Sequence, residues 1–251
     1  MSNQMNGRDM SRAILAELSK LCSLPITWYI LGSTLMVNLA LAYAYSNAGL
    51  QGFMSMQSTL EIGLASVSYS KAGFMLFGIL TVCSEYNGGQ IRTTLVAMPH
   101  RGIQIMAAIA TLTAMLIPAA CVVSSSGVLL AQTVFGDDRH SIAGENLVSS
   151  ILGVSVYLTL TALISAAIGI IMRRMLPALA IILGYYFIAG PFIRGKAQLA
   201  KYLPDTTGVV MWSAQPDHVT MLSPVQGGIL LSAWTFASII TAAIVHRRRD
   251  V

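Results

Sequence analysis

Apolar residues in this chain gather into long runs separated by polar breaks, not into the alternation of a half-buried strand or the one-sided stripe of a soluble helix. Roughly 20 apolar residues in a helix cover the ~30 Å of hydrocarbon in a bilayer. The runs extend from Pro25 to Tyr45, Ser66 to Ser84, Ile103 to Leu130, Leu147 to Met172, Leu176 to Ile193 and Gly227 to His246. They predict an all-α integral membrane protein with six transmembrane helices. The second run is the weakest, because it contains Lys71. A lysine at the centre of a span costs about 2.5–3.5 kcal/mol, while Phe74, Leu76, Phe77, Ile79, Leu80 and Val82 each return about 0.3–0.6 kcal/mol. The balance is near zero, so this helix needs either neighbours or a snorkelling Lys71 to insert.

Three segments outside the runs carry patterns of their own. Met10, Ile14, Leu18 and Leu21 repeat at helical spacing among Arg8, Arg12, Glu17 and Lys20, which predicts an amphipathic helix over 8–24 on the inner membrane surface, with Pro25 opening the first span. Between the second and third runs lies the polar island Glu85 to Gly102, EYNGGQIRTTLVAMPHRG. Within it Ile91, Leu95 and Met98 form one apolar stripe of a short helix, Gly88 and Gly89 break the preceding span, and Pro99 ends the stripe. Between Arg194 and Gln226 the chain is too apolar for a plain loop and is cut by Pro204, Pro216 and Pro224. Two readings fit this third segment: a re-entrant piece dipping into the outer membrane face, or an ordinary outer loop with hydrophobic contacts.

Inside the spans, Trp28, Tyr29, Tyr43 and Tyr45 occupy the ends of the first, where amphipathic rings anchor at the interface. Pro118 removes a hydrogen bond from the third and predicts a kink. Ala162, Ala166, Ser165 and Gly169 give the fourth a small-residue face for close helix packing.

Composition agrees: 55% of the 251 residues are hydrophobic and 10% charged, with a mean hydropathy of +0.69, far from a soluble domain. Of the 15 Lys and Arg residues, ten fall on the side that holds both termini, four (Arg139, Arg194, Lys196, Lys201) on the other, and Lys71 within a span. The positive-inside bias therefore places both termini in the cytoplasm. The net charge of +5 follows from this topology, and no basic face with interleaved aromatics points to nucleic acid. The first run is too long for the core of a cleaved signal peptide and is expected to stay as a span. Cys22, Cys83 and Cys121 are scattered and form neither a disulfide framework nor a zinc pattern.

Nothing in the chain reads as an enzyme. The GxxxxGK[ST] phosphate cradle, HExxH, GxSxG and GxGxxG are all absent. The ten acidic residues, Asp205 among them, map outside or at the edges of the runs, which argues against ion-coupled transport. Lys71 is then the one charge within a span, and it either lines a conduit or snorkels to the headgroups.

The residues Glu85, Gly89, Ile91, Arg92, Leu95, Pro99 and Arg101, with SKLCSLPITW before the first span, YLP at Tyr202 to Pro204 and the terminal RRRD, resemble the permease subunits of type 2 ATP-binding-cassette exporters, in their small actinobacterial-like form. Gln90 stands where relatives carry a small hydroxyl residue, and Ala107 and Ala108 where they often place a lysine. The resemblance covers the whole chain and implies one transmembrane permease domain over 1–251. It implies that 8–24 is an elbow helix, that 85–102 is a cytoplasmic coupling helix entering an ATPase cleft, and that 194–226 is an outer re-entrant gate. It further implies two separate ATPase subunits, a second permease copy or a homologous permease, and ATP with Mg on the partner subunits and no cofactor on this chain. The second and fifth spans would line the conduit, with Lys71, Tyr185 and Tyr186 on the substrate path. Tyr185, Tyr186, Trp212 and the 14 methionines suit an adaptable apolar path or plain helix packing equally. The rival class is a membrane scaffold or sensor subunit that recruits soluble partners and moves nothing, and a self-powered secondary transporter stands third.

Overall fold

The computed structural model describes residues 2–51, 58–86, 101–135, 147–194, 198–212 and 222–248. Among them every regular element is helical, and six helical stretches are long and apolar enough to cross a membrane. The protein is an all-α, multi-pass membrane protein. The first span is α2 (Pro25–Leu50), and the second is a short α3 (Thr59–Ala65) followed by α4 (Val67–Tyr86). The third is α5 (Arg101–Phe135), the fourth α6 (Leu147–Met172), the fifth begins with α7 (Met175–Gly184), and the sixth is α10 (Pro224–Arg248). Most boundaries lie within a few residues of the apolar runs. The second span departs most, because Ser58 and Glu61 form a reciprocal capping box that starts a helix about two turns before the apolar run does.

Two spans form the centre. In the most apolar stretches of α3–α4 and of α6, 67% and 78% of the residues are buried, against 17% to 28% in the other four spans. Those four therefore turn most of their apolar surface, such as Met36, Val122, Ile188 and Phe236, toward what in a membrane is lipid. Close approach of α4 and α6 depends on small residues: Gly78 lies directly on the backbone of Ala162, and the Cys83 thiol reaches the Gly169 carbonyl at 3.7 Å. Ala162 and Gly169 thus supply the close contact that their spacing predicts. Gly63 and Gly127 let α3 and α5 cross backbone to backbone, since a Cβ on Gly63 would stand 2.8 Å from the Val128 Cα.

That crossing brings a buried amide within reach of three helices. Asn38 of α2 donates to the Val123 carbonyl at 2.9 Å and accepts from the Ser66 and Ser70 hydroxyls, both at 2.9 Å. In a membrane, where apolar contact alone does not distinguish protein from lipid, such bonds fix which helices pair.

The N-terminal helix α1 (Ser2–Ser23) is longer than the expected 8–24 at its start, and it packs on the beginning of α5, burying Ala13 and Leu21. Thr111 of α5 donates to its Ile14 carbonyl at 3.4 Å. Trp28 donates to the Cys22 carbonyl at 3.0 Å and holds the corner between α1 and α2. Pro118 does not interrupt α5, which runs unbroken on both sides of it. The turn joining α6 to α7 is only Arg173 and Arg174, with Arg173 in the left-handed region at φ 54.

Candidate functional site

The fifth span does not continue as one α-helix. After α7 the chain takes a π turn over Tyr185–Ala189, in which the Gly190 amide bonds back to the Tyr185 carbonyl, and then α8 (Gly190–Arg194). A 3₁₀ turn (Gln198–Tyr202) leads into α9 (Pro204–Val210), a two-turn helix started by Pro204 in its first turn. Every residue of α9 but Val209 is buried. It is wedged among α6, α8 and α10: Gly208 meets the Tyr157 ring, a Cβ on Gly227 would stand 2.7 Å from the Thr207 carbonyl oxygen, and a Cβ on Gly153 2.6 Å from that of Met211. Trp234 of α10 donates to the Tyr202 carbonyl at 2.9 Å and ties down the approach. The described residues 204–210 thus pack as a buried helix against the bundle, a contact that both readings of 194–226 allow, while 195–197 and 213–221 lie outside the described residues.

This wedge carries Asp205 into the bundle. Its side chain is fully buried, with Oδ2 at 2.6 Å from Nη2 of Arg194 and Oδ1 at 3.5 Å from Nζ of Lys71. One expectation is corrected here: Lys71 is not an isolated snorkelling charge, because its side chain is only 7% exposed and faces the carboxylate of Asp205, which is buried beside Gly190 and Arg194 at the end of the fifth span. The physical reason is that a buried ammonium is tolerable when a counter-ion is brought to it, and α9 brings one. The first turn of α9 also favours a carboxylate through its partial positive charge. Gly190 makes the contact sterically admissible, since a Cβ there would stand 2.7 Å from the Asp205 carboxylate oxygen.

Aromatic rings surround the ions. The Lys71 ammonium sits 5.4 Å from the centroid of the Tyr186 ring and 5.0 Å from that of Phe187, within cation–π range. Tyr185 and Tyr186 meet edge to face at 5.1 Å. Tyr157 and Tyr186 are almost wholly buried, and the hydroxyls of Tyr157, Tyr185 and Tyr186 have no hydrogen-bond partner in the protein. Each of the three feels the Asp205 charge. The Asp205 backbone lies close to the Tyr185 hydroxyl, and the Thr161 hydroxyl, which donates to the Tyr157 carbonyl at 2.7 Å, keeps acceptor lone pairs close to Tyr157 and Tyr186, though none of these contacts closes a well-formed bond to a tyrosine hydroxyl. The cluster holds two cations and one carboxylate, a surplus of one positive charge.

The three residues expected on a substrate path, Lys71, Tyr185 and Tyr186, thus come together. Tyr157, Arg194 and Asp205 join them without having been singled out by pattern. The coupling residues are not brought into view: Gly89, Ile91, Arg92, Leu95 and Pro99 lie outside the described residues, Glu85 falls in the last turn of α4, and Arg101 is the first residue of α5. Among the described residues no three His, Cys, Asp or Glu side chains gather as a metal would need. No protein-family model matches the chain, and no curated protein sequence matches it either.

Proposed function

We propose that this chain is the membrane-spanning permease subunit of an ATP-driven exporter, moving a substrate outward by alternating access powered by separate ATPase subunits. The observation that carries this reading is the segment between the fifth and sixth spans, which folds back into the bundle as α9 and is tied to the central span by the Lys71–Asp205 ion pair. In this reading α9 is the element that takes two arrangements, in and out. Alternating access requires such an element. The interfacial helix α1 packed on the third span and the small-residue contacts of the centre suit a bundle that rocks as packed blocks. In this reading the chain sits in the bacterial plasma membrane with both termini cytoplasmic, paired with a second permease copy over two ATPase subunits. The 85–102 segment is the lever between them.

The test is co-purification of the full-length chain from its native membrane, followed by reconstitution. An ATP-binding-cassette ATPase that comes with it, and whose hydrolysis rate changes when the permease is present, supports the proposal. Purification without any ATPase refutes it. Recruitment without any vesicle transport points to the scaffold reading instead. A second reading, ion-coupled transport without ATP, is favoured by one observation, the buried Asp205 carboxylate, since such groups carry protons or sodium in transporters. Gradient-driven flux in vesicles lacking ATP separates it from the first.

A further inference from the structure

The charge cluster is unbalanced in a way that folding alone does not require. Asp205 is already paired with the partly exposed Arg194 at 2.6 Å, so the group short of a counter-ion is the buried Lys71, which shares that carboxylate at 3.5 Å, and a buried ammonium is costly unless an anion balances it. Beside those ions stand three tyrosine hydroxyls, two of them almost wholly buried, with no partner in the protein. A phenol hydroxyl donates one hydrogen bond, and oxyanions accept several. Arg194 and Tyr185 are half-buried, so the cluster reaches the surface on their side, while Tyr186 and Phe187 present apolar ring faces around Lys71.

We propose that Lys71, Arg194, Tyr157, Tyr185 and Tyr186 form a binding site for an anionic headgroup, a phosphate or carboxylate, with Asp205 as the internal counter-ion that the ligand displaces. When the oxyanion takes the two cations and the tyrosine hydroxyls, Asp205 loses its hold on Lys71, and α9 loses the ion pair that fastens it to α4. Ligand entry and loosening of the inserted helix are therefore the same event. This deepens the permease reading by naming the class of cargo, and it rests on that reading only for the word cargo: binding is measured on the chain without ATPase, so the two can fail separately.

The experiment uses the full-length chain in phosphatidylcholine nanodiscs, with empty nanodiscs as background, titrated calorimetrically with dodecyl phosphate, inorganic phosphate and the neutral dodecyl maltoside. Dodecyl phosphate is expected to bind saturably and dodecyl maltoside not to. Tyr186→Phe removes one hydroxyl and keeps the ring, and it is expected to weaken binding by at least about tenfold, the scale of one hydrogen bond to a charged group. Lys71→Met is expected to weaken it further. Saturable binding of inorganic phosphate at the same site assigns a free oxyanion as ligand, and its silence beside bound dodecyl phosphate assigns an anion carried on an apolar body. Because the Tyr186 hydroxyl has no protein partner, a packing role predicts no change in Tyr186→Phe, and its thermal midpoint confirms that it folds. Equal affinity in wild type, Tyr186→Phe and Lys71→Met, or no saturable binding of either phosphate, overturns the proposal.

Discussion

Neutralising Asp205 tests the cluster more sharply than neutralising Lys71, and the two changes differ in a calculable way. At an effective dielectric of about 20, a pair 3.5 Å apart such as Lys71 and Asp205 attracts by about 5 kcal/mol. Asp205→Asn removes that attraction and leaves the Lys71 ammonium buried without a counter-ion. Arg194 adds little to the loss, because its side chain is 27% exposed and can turn to water. The expected cost is about 3–5 kcal/mol, the scale of a broken buried ion pair. Lys71→Met removes the same attraction together with the desolvation of the ammonium, and Asp205 keeps Arg194 at 2.6 Å, so the net change is expected within about 1 kcal/mol. At about 2–4 °C per kcal/mol for a chain of this size, Asp205→Asn lowers the thermal midpoint by about 6–20 °C and Lys71→Met by a few degrees at most. The double variant Lys71→Met/Asp205→Asn recovers most of the loss. The assay follows the monodisperse fraction of the purified chain after heating in detergent. Asp205→Asn at the wild-type midpoint, or Lys71→Met as low as Asp205→Asn, refutes the reasoning.

Three further outcomes follow from the same geometry. Gly190→Ala places a Cβ against the Asp205 carboxylate and is expected to cost about 1–3 kcal/mol, while Gly184→Ala, with open space around it and helical dihedrals, is expected to be neutral or to stabilise by up to about 1 kcal/mol; the same heating assay compares them. Asn38→Ala strips the acceptor from Ser66 and Ser70 and the donor from Val123, and is expected to cost about 1–2 kcal/mol, read as a lower midpoint with unchanged insertion. Leu95→Asp and Arg101→Glu are expected to abolish stimulation of the partner ATPase while the protein inserts and accumulates normally, and normal transport by both would remove the 85–102 segment from the mechanism.

The spans were legible because span length is set by the bilayer, a constraint that acts locally on every run. The small faces of Ala162 and Gly169 were legible for a similar reason, since only small residues admit close backbones. The capping box at Ser58 and Glu61 was missed, although a serine followed three residues on by glutamate signals it, and it explains why the second span starts before its apolar run. The site was half legible. Lys71 announced a problem, an ammonium inside a span, but its answer lies 134 positions away at Asp205, and no local pattern encodes a pairing at that separation. Pro204 followed by Asp205 carried the start of a helix, yet what packs that helix on the bundle is contact with Tyr157 and Gly227, which only the assembled fold supplies. The π turn at Tyr185–Ala189 has no sequence signature of its own and is fixed by the helices it packs on.

The most direct check of the proposed function is the sidedness of the 85–102 segment. A single cysteine at Thr94, in a chain whose Cys22, Cys83 and Cys121 are replaced by serine, is exposed to a membrane-impermeant maleimide in intact cells and after permeabilisation, with Ser141→Cys as the outward-facing control. A cytoplasmic lever predicts that Thr94→Cys reacts only after permeabilisation while Ser141→Cys reacts in both. Labelling of Thr94→Cys in intact cells puts the segment on the outer face, out of reach of any ATPase, and contradicts an ATP-driven permease.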